Sequence, residues 1–276
     1  TYDSYPFSVI DDLIYIGGDG TVKAWMETEE FEKDARYFRE MYKRGLIHPD
    51  ILTLPLDQVT RPINDGNAIF ANGNWLWVWN DIQAMKPEAE IDVFRFSPDK
   101  PKVRPLLANN ANAISVTSKH PEQMIQFYDW LYSSQENFDL LTYGIEGDWF
   151  EDLGPGKMKK LRPKPGEVGF SDWKTGYYKF VRFDEETMHP KLPETVRIDE
   201  SVQNAIHIGF TFDSSPVSVE YSNLLAEIKT SVYPLKMGVT EFDEFYPQAL
   251  EKMKAAGLDK FVEEYRRQFE AWRASR

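Results

Sequence analysis

With 276 residues, 42% hydrophobic and 14% aromatic, the chain is long enough to bury a sizeable core in one large domain or two lobes. Its net charge of −13 argues against nucleic acid or an anionic membrane surface as a partner and favours neutral or cationic small molecules. Cysteine is absent, which excludes disulfides, thiolate metal sites and cysteine nucleophiles. No apolar run approaches the about 18 residues that a membrane-spanning helix needs.

The first 24 residues predict short strands and a glycine turn. Phe7–Ile10 and Leu13–Ile16 are apolar runs of strand length, and Thr21–Ala24 follows the glycine cluster at 17–20. The cluster lacks the Lys-Ser/Thr pair of a phosphate-binding P-loop and no helix follows it, so it predicts a hairpin turn. A helix follows, capped by Thr28 and ended by Gly45. Its apolar stripe consists of Phe31, Ala35, Phe38 and Tyr42.

Three tryptophans are concentrated in the middle of the first half. A turn at 72–74 follows a short apolar strand at 68–71, and Trp75, Trp77 and Trp79 come next at alternate positions. On a strand the three indoles share one face, whereas on a helix only Trp75 and Trp79 do. Two interpretations stay open: an aromatic edge of the core, or a platform on which sugar rings stack.

The middle of the chain predicts a crossover followed by a strand and a helix. Ile91–Phe96 alternates as a strand, residues 97–105 are a Pro- and Lys-rich linker, and Ala111–Val116 is a small-residue strand. The helix after it begins near Pro121 and runs to Ser133. Asn110, beside two further asparagines, is a candidate to bind sugar hydroxyls, with turn or strand-end duty as the alternative.

Four further residues are candidate ligand contacts. Glu146 and Trp149 follow a glycine turn, where a carboxylate can accept hydrogen bonds from sugar hydroxyls and an indole can stack on a sugar ring. The alternative for Glu146 is an acidic residue of a turn or hinge, and the alternative for Trp149 is packing in the core. Trp173 and Tyr178 lie in a second aromatic cluster, with packing as the alternative for each. No metal site is predicted, since the four histidines form no HxxxH or HxH pair.

The last third predicts helices. A helix is expected to be capped by Asp213, Ser214 or Ser215. Before it, Phe210 or Phe212 could supply one wall of an aromatic sandwich. Two amphipathic helices follow, at about Glu244–Ala256 and Leu258–Arg273, with Gly257 between them. The stripe of the second is Leu258, Phe261, Val262, Tyr265, Phe269 and Trp272, and it is expected to be core.

Several segments resemble one family. They are YKRGLIHPD, ANGNWLW, NAISVTSKHPE, YGIEG, GFTFDSSPV and the terminal AGLDKFVEEYRRQFEAW. In this order they are similar to the extracellular solute-binding proteins of ABC importers (family 1), and to the LipO/LplA-like lipoprotein branch of Gram-positive bacteria in particular. The resemblance implies an α/β, maltose-binding-like two-lobe fold, here expected to lack the N-terminal part of the first lobe. It also implies that Trp75, and with less certainty Trp77, contacts a sugar.

The resemblance divides the chain into three segments. Residues 1–105 correspond to the second-lobe segment with the Trp motif, 106–150 to the strand–helix return to the first lobe, and 151–276 to a C-terminal aromatic loop and helical segment. The implied function is saccharide binding between two closing lobes, without catalysis or cofactor, by a monomer that docks on the permease subunits of an importer. The implied location is the periplasm or, through a lipid anchor on the precursor, the outer face of the cell membrane.

Two other functions stay open. Asp65, Glu146, Asp148 and Asp172 lie near aromatics, as the paired carboxylates of a glycoside hydrolase do, but the sequence gives no separation between them. The GxSxG motif of a serine nucleophile is absent. A cell-surface interaction module without a sugar ligand is the third possibility.

Overall fold

The computed structural model describes residues 7–55, 82, 86–90, 92, 101, 103–104, 111–161, 172–175, 177, 179–184 and 202–276. The chain divides into two compact units. The first consists of Thr1–Val59, Arg95–Leu107 and Asp199–Arg276, and the second of Thr60–Phe94 and Ala108–Ile198. The sequence-based division at residues 105 and 150 stays a prediction.

The described residues contain both helices and short strands. In chain order they are β1 (Phe7–Ile10), β2 (Ile14–Gly17), β3 (Val22–Ala24), α1 (Glu29–Lys43), β4 (Val103–Arg104), α2 (Pro121–Ser133), α3 (Gln135–Thr142), β5 (Phe150–Asp152), β6 (Lys157–Lys160), α4 (Asp172–Thr175), β7 (Phe183–Asp184), β8 (Gln203–Asn204), α5 (Ser218–Ser231), α6 (Tyr233–Lys236), α7 (Phe242–Ala255) and α8 (Leu258–Ala274). This content confirms the predicted α/β class.

The first unit opens with an antiparallel sheet in the order β1-β2-β3. Asp11 and Asp12 form the turn between β1 and β2, with φ angles of +52° and +57°. After β2, the Asp19 carboxylate accepts hydrogen bonds from the Thr21 backbone N–H at 2.8 Å and from the Thr21 hydroxyl at 2.7 Å. The predicted strands and glycine turn are confirmed to within about two residues.

Helix α1 begins and ends where its sequence predicts. Thr28 is its N-cap, and its Oγ1 accepts a hydrogen bond from the Phe31 N–H at 3.2 Å. Gly45, just beyond the helix, has a φ of +69°. Of the predicted apolar stripe, Phe31 and Ala35 are buried, whereas Phe38 is 38% exposed.

The C-terminal helices and the N-terminal sheet share one core. Its buried members include Leu13, Ile16, Phe31, Leu224, Leu235, Met253, Phe261 and Phe269. The predicted stripe of α8 is confirmed, because Leu258, Phe261, Val262, Tyr265 and Phe269 are buried and Trp272 packs against them. Burying each such side chain contributes about 1.5–3 kcal/mol, so α8 is a principal source of this unit's stability.

A close contact joins α1 to the turn after α6. The Arg39 guanidinium donates to the backbone oxygens of Gly238 and Val239 at 2.9 and 3.0 Å, and to the Glu241 carboxylate at 2.8 and 3.0 Å. Gly238 has a φ of +71°, and a β-carbon placed on it would lie 2.2 Å from the Phe38 oxygen. Only glycine therefore lets the two backbones approach this closely.

The second unit contains α2, α3, α4 and a small mixed sheet. Strand β5 pairs antiparallel with β6, and β6 pairs parallel with β7. Pro121 lies in the first turn of α2, as predicted, and the Ser134 side chain caps α3 by accepting from the Asn137 N–H at 3.2 Å. Leu131 and Phe138 are fully buried and anchor the two helices.

Two expectations from the sequence do not match the described structure. The predicted strand Ala111–Val116 is wrong: the chain is largely exposed there and has no strand pairing. The sequence pattern shows only that these side chains would suit a strand. A strand also needs a neighbouring strand to which its backbone is hydrogen-bonded. Helix α5 begins at Ser218, after a 3-10 turn at Ser215–Val217, and the Asp213 carboxylate accepts from the first N–H of that turn instead.

Candidate functional site

The segment from Tyr143 to Phe150, which we name the 143–150 loop, joins α3 to β5. Gly144 and Gly147 turn the chain with φ angles of +94° and +80°. The Trp149 side chain lies directly over Gly144, where an added β-carbon would be 2.8 Å from the indole Cγ. The first glycine of the YGIEG sequence is therefore required by its backbone angle and by the indole on top of it.

Backbone hydrogen bonds close the 143–150 loop on itself. The N–H groups of Asp148 and Trp149 donate to the Ile145 oxygen at 3.2 and 2.8 Å, and the Gly147 N–H donates to the Phe150 oxygen at 2.8 Å. Glu146 forms an isolated parallel bridge with Phe150. These bonds define the shape of the loop tip.

The loop tip presents a mixed surface to solvent. The side chains of Glu146 and Asp148 are exposed, Ile145 is 58% exposed, and Trp149 is half-buried. Two carboxylates beside apolar and aromatic surface are the groups that a polyol needs, since carboxylates accept hydroxyl hydrogen bonds and an indole covers the apolar face of a sugar ring. The structure thus brings together two of the predicted contacts, Glu146 and Trp149.

A buried arginine lies at the base of the loop. Arg182, 7% exposed, donates through Nε to the Asp139 carboxylate at 2.9 Å. Its two terminal nitrogens donate to the two oxygens of Asp152 at 2.6 and 2.9 Å, in bidentate geometry. Its Nη1 also donates to the backbone oxygens of Gly154 and Lys157 at 3.3 and 3.2 Å.

Burial and ion pairing shift the pKa values of the three charged groups in this cluster. Burial raises the pKa of Asp139 above its ordinary value, although the Gln135 amide and the Arg182 guanidinium act in the opposite direction. The Arg182 hydrogen bond and the Gly154 N–H lower the pKa of Asp152. Burial lowers the pKa of Arg182, but its bonds with Asp152 and Asp139 outweigh that effect and raise the pKa overall. Arg182 therefore remains a cation.

Aromatic rings pack beneath the loop. The Tyr143 ring lies 6.0 Å from Phe150 and 6.2 Å from Phe138, and Phe138 lies 5.9 Å from Phe180. The Tyr143 hydroxyl accepts a hydrogen bond from the Arg182 backbone N–H at 2.8 Å. The loop is therefore presented on a packed base.

A second aromatic group lies on α2. The Phe127 and Trp130 rings are 5.8 Å apart, and Trp130 is 41% exposed. The Tyr132 ring lies 5.1 Å from Tyr177, and its hydroxyl donates to the Thr175 oxygen at 2.7 Å. This bond holds α4, the helix that carries Trp173, against α2.

Of the other predicted ligand contacts, only Phe212 and its alternative Phe210 have described side chains. The side chain of Trp173 is not among those described, and Trp75, Trp77, Asn110 and Tyr178 lie outside the described residues. Phe212 belongs to the first unit, where its ring lies 4.7 Å from Tyr265 and 5.4 Å from Phe261, within the core described above. Phe212 therefore packs against the core of the first unit, and its predicted contact with a ligand stays a prediction.

Sequence reasoning did not single out Arg182 or Tyr143. The partners of Arg182 lie 30 and 43 residues away in the chain, so no local spacing indicates them. One signal was available: Arg182 stands between Val181 and Phe183 in a short apolar run. A cation in such a run requires buried partners of opposite charge.

Comparison with solved structures identifies the fold. Over 98% of its length the chain matches the N-glycan transport solute binding protein (NgtS) from Streptococcus pneumoniae, with a TM-score of 0.69 and 18% sequence identity. The NgtS complex with Man1GlcNAc matches over 96% with a TM-score of 0.67. The chain has the fold of an ABC-importer solute-binding protein. It spans about 60% of the length of NgtS.

Two further comparisons extend this result. An HMO-binding, ABC-transporter-associated solute binding protein from Bifidobacterium longum infantis matches over 91% of the chain and 56% of its own length, with a TM-score of 0.52 and 14% identity. A family model described as a domain of unknown function, DUF3502, matches residues 206–274, which hold α5 to α8. No curated protein sequence matches the chain significantly.

Among the described residues, no helix is long and apolar enough to span a bilayer. In the same ranges, no group of three or more acidic or histidine side chains is placed to hold a metal ion.

Proposed function

We propose that this chain belongs to the extracytoplasmic solute-binding component of an ABC importer and binds a saccharide or oligosaccharide without catalysis. The observation that supports the proposal most is the shared fold, over nearly the whole chain, with NgtS structures in complex with Man1GlcNAc and Man5GlcNAc. The exposed acidic and aromatic tip of the 143–150 loop supports the same class of ligand, because it offers acceptors for hydroxyls beside a ring for stacking.

Recognition would use stacking together with charge-assisted hydrogen bonds. In this proposal Glu146 accepts sugar hydroxyls and Trp149 covers a ring face. Trp173, in the sequence of α4, would add a second stacking surface. Trp75, Trp77, Asn110 and Tyr178 complete the proposed set of contacts on the strength of the family resemblance. Phe212, whose ring packs against Tyr265 and Phe261, is the proposed wall of an aromatic sandwich.

Transport would follow from lobe closure. In the proposed cycle the solute binds the closed conformation more tightly than the open one, so binding shifts the population to the closed form. A membrane permease then recognises the closed form. We place the protein in the lipoprotein branch of the family, as a monomer at the outer face of the membrane or in the periplasm, without a cofactor. The three segments 1–105, 106–150 and 151–276 would contribute to the two lobes as the resemblance implies.

The test is calorimetric titration of the chain with Man5GlcNAc and with Man1GlcNAc. We expect saturable binding, with the sugar recovered intact by mass spectrometry. Glu146→Gln should weaken binding about tenfold, the effect of losing a hydrogen bond to a charged group. Trp149→Ala should weaken it by at least as much, because it removes the stacking surface and leaves Gly144 uncovered.

Glu151→Gln is the matched control, because Glu151 is an exposed carboxylate on β5, outside the loop. It should leave the affinity unchanged. Cleavage of the sugar would favour the glycoside hydrolase alternative. If the chain unfolds cooperatively but binds neither sugar, the proposed ligand class is contradicted.

A further inference from the structure

The two elements that flank the 143–150 loop are tied together by one guanidinium. Asp139 lies in the last turns of α3, before the loop, and Asp152 lies on β5, after it. Arg182 bonds both carboxylates, at 2.9 Å through Nε and at 2.6 and 2.9 Å through its terminal nitrogens. The distance between the two ends of the loop is thereby fixed by a third element, the segment that leads into β7.

The same arginine also contacts the first and last residues of the loop. Its backbone N–H donates to the Tyr143 hydroxyl at 2.8 Å, and its guanidinium lies over the Phe150 ring, 5.7 Å from the centroid. The Asp139 backbone oxygen accepts from the Tyr143 and Gly144 N–H groups at 2.7 and 2.9 Å. The first end of the loop is therefore held by Asp139 and Arg182, and the last end by Arg182.

Geometry explains why this position requires arginine. Its planar group donates along three directions at once, to one carboxylate through Nε and to the other through both terminal nitrogens. A lysine ammonium is a point charge that can approach one carboxylate closely and leaves the other without its bidentate partner. Because Arg182 and Asp139 are both buried, an unpaired member of this cluster is costly.

We propose that Arg182 is a positioning residue for solute binding: it holds the 143–150 loop in the shape that presents Glu146 and Trp149 to the ligand. The inference rests on the proposed function and adds to it a residue that does not itself contact the sugar. A loop held in its bound shape loses less conformational freedom on binding, so loosening the clamp lowers affinity without removing any contact group.

The experiment combines hydrogen exchange with titration on the full chain and on Arg182→Lys. In the absence of sugar, the variant should exchange the Gly147, Asp148 and Trp149 amides faster than the wild type, since their bonds lie within the loop. With Man5GlcNAc as the probe, the variant should bind about tenfold more weakly, because the loosened loop must be ordered when the sugar binds.

Two further variants separate positioning from general destabilisation. Leu131→Ala removes a fully buried side chain of α2 in the same unit, so it should lower the unfolding temperature while the loop amides and the affinity stay as in the wild type. Asp152→Asn changes the more exposed partner of Arg182. It should also speed amide exchange in the loop and weaken binding, but less than Arg182→Lys does. It replaces the lysine variant if that variant does not fold.

Each outcome decides between the two proposals. Weaker binding with unchanged exchange at residues 147–149, or wild-type binding by a folded Arg182→Lys, overturns the positioning role while the solute-binding proposal stands. Loss of binding in Leu131→Ala equal to that of Arg182→Lys also overturns it. If the wild type binds neither Man5GlcNAc nor Man1GlcNAc, the binding proposal fails and the positioning role falls with it, even where the exchange result shows the clamp.

Discussion

The indole of Trp149 occupies the space where any residue other than glycine at position 144 would carry its β-carbon, 2.8 Å from that atom's ideal position. Gly144→Ala is therefore unfavourable for two reasons: the backbone has a φ of +94°, and the added β-carbon would collide with the indole. We expect a loss of about 1–3 kcal/mol in the free energy of unfolding from the backbone strain, with more from displacing the indole. Urea denaturation measures the first effect, and titration with Man5GlcNAc measures the accompanying loss of affinity.

Gly147→Ala separates the two causes. Gly147 lies in the same loop with a φ of +80°, but an added β-carbon there meets no atom within 4 Å. It should lower stability by the strain alone and leave Trp149 in place. If Gly147→Ala reduces affinity as much as Gly144→Ala does, the position of the indole is not what matters for binding.

A second close approach predicts a larger effect on the first unit. Gly238→Ala would bring a β-carbon to 2.2 Å from the Phe38 oxygen and 2.5 Å from the Arg39 nitrogen, both backbone atoms of α1 that cannot rotate away. Because α1 must move or the turn must open, the hydrogen bonds from Arg39 to this turn are lost as well. We expect a loss of more than about 3 kcal/mol in urea denaturation.

Gly45→Ala is the control for this substitution, since Gly45 also has a left-handed φ, +69°, and an added β-carbon there meets nothing within 4 Å. It should cost about 1–2 kcal/mol, from strain alone. Equal losses at both positions would show that the contact between α1 and the turn after α6 contributes little to stability.

Local signals in the sequence predicted most of the first unit. The cap at Thr28, the left-handed Gly45 and the buried stripe of α8 each depend on residues within a few positions of one another. Such patterns are visible in a single sequence because helix periodicity and capping are local. The α/β class and the solute-binding fold were predicted in another way, from the resemblance of several segments, taken in order, to a known family.

What the sequence did not predict depends on distant partners. Arg182 acquires its role from carboxylates 30 and 43 residues away, and the apolar run Ala111–Val116 has the composition of a strand without a pairing neighbour in the described chain. The packing of Tyr265 against the Phe212 ring, across more than 50 residues of sequence, was likewise not predicted. Long-range pairing of this kind has no short-range signature.

Thr28 provides a direct test of a feature that the sequence did predict. Its hydroxyl accepts from the Phe31 N–H at 3.2 Å and donates to the Trp25 oxygen at 2.7 Å. Thr28→Ala should lower the free energy of unfolding by about 1 kcal/mol, the usual cost of losing an N-cap. Thr28→Ser keeps the oxygen and should retain most of the stability in the same denaturation assay. A loss in the serine variant equal to that in alanine would assign the effect to the γ-methyl group.

Acid stability provides the last prediction, through Glu264 on α8. Arg267 donates to its carboxylate at 2.6 and 2.8 Å, and Gln268 donates at 2.8 Å. The Arg267 bonds, followed by the Gln268 bond, lower the pKa of Glu264 from 4.5 to about 2. Since the folded-state pKa lies below the unfolded one, the carboxylate stabilises the fold above pH 4.5, and this contribution is lost as the pH falls from 4.5 towards about 2.

Glu264→Gln should therefore lower the melting temperature at neutral pH and flatten its decline across the interval from pH 4.5 to about 2, because the variant has no carboxylate to protonate there. Thermal unfolding followed by circular dichroism across that interval measures both effects. Glu263→Gln removes the same charge from a neighbouring exposed position and should leave the acid decline as steep as in the wild type. If the two variants give parallel curves, the pairing with Arg267 does not contribute to acid stability.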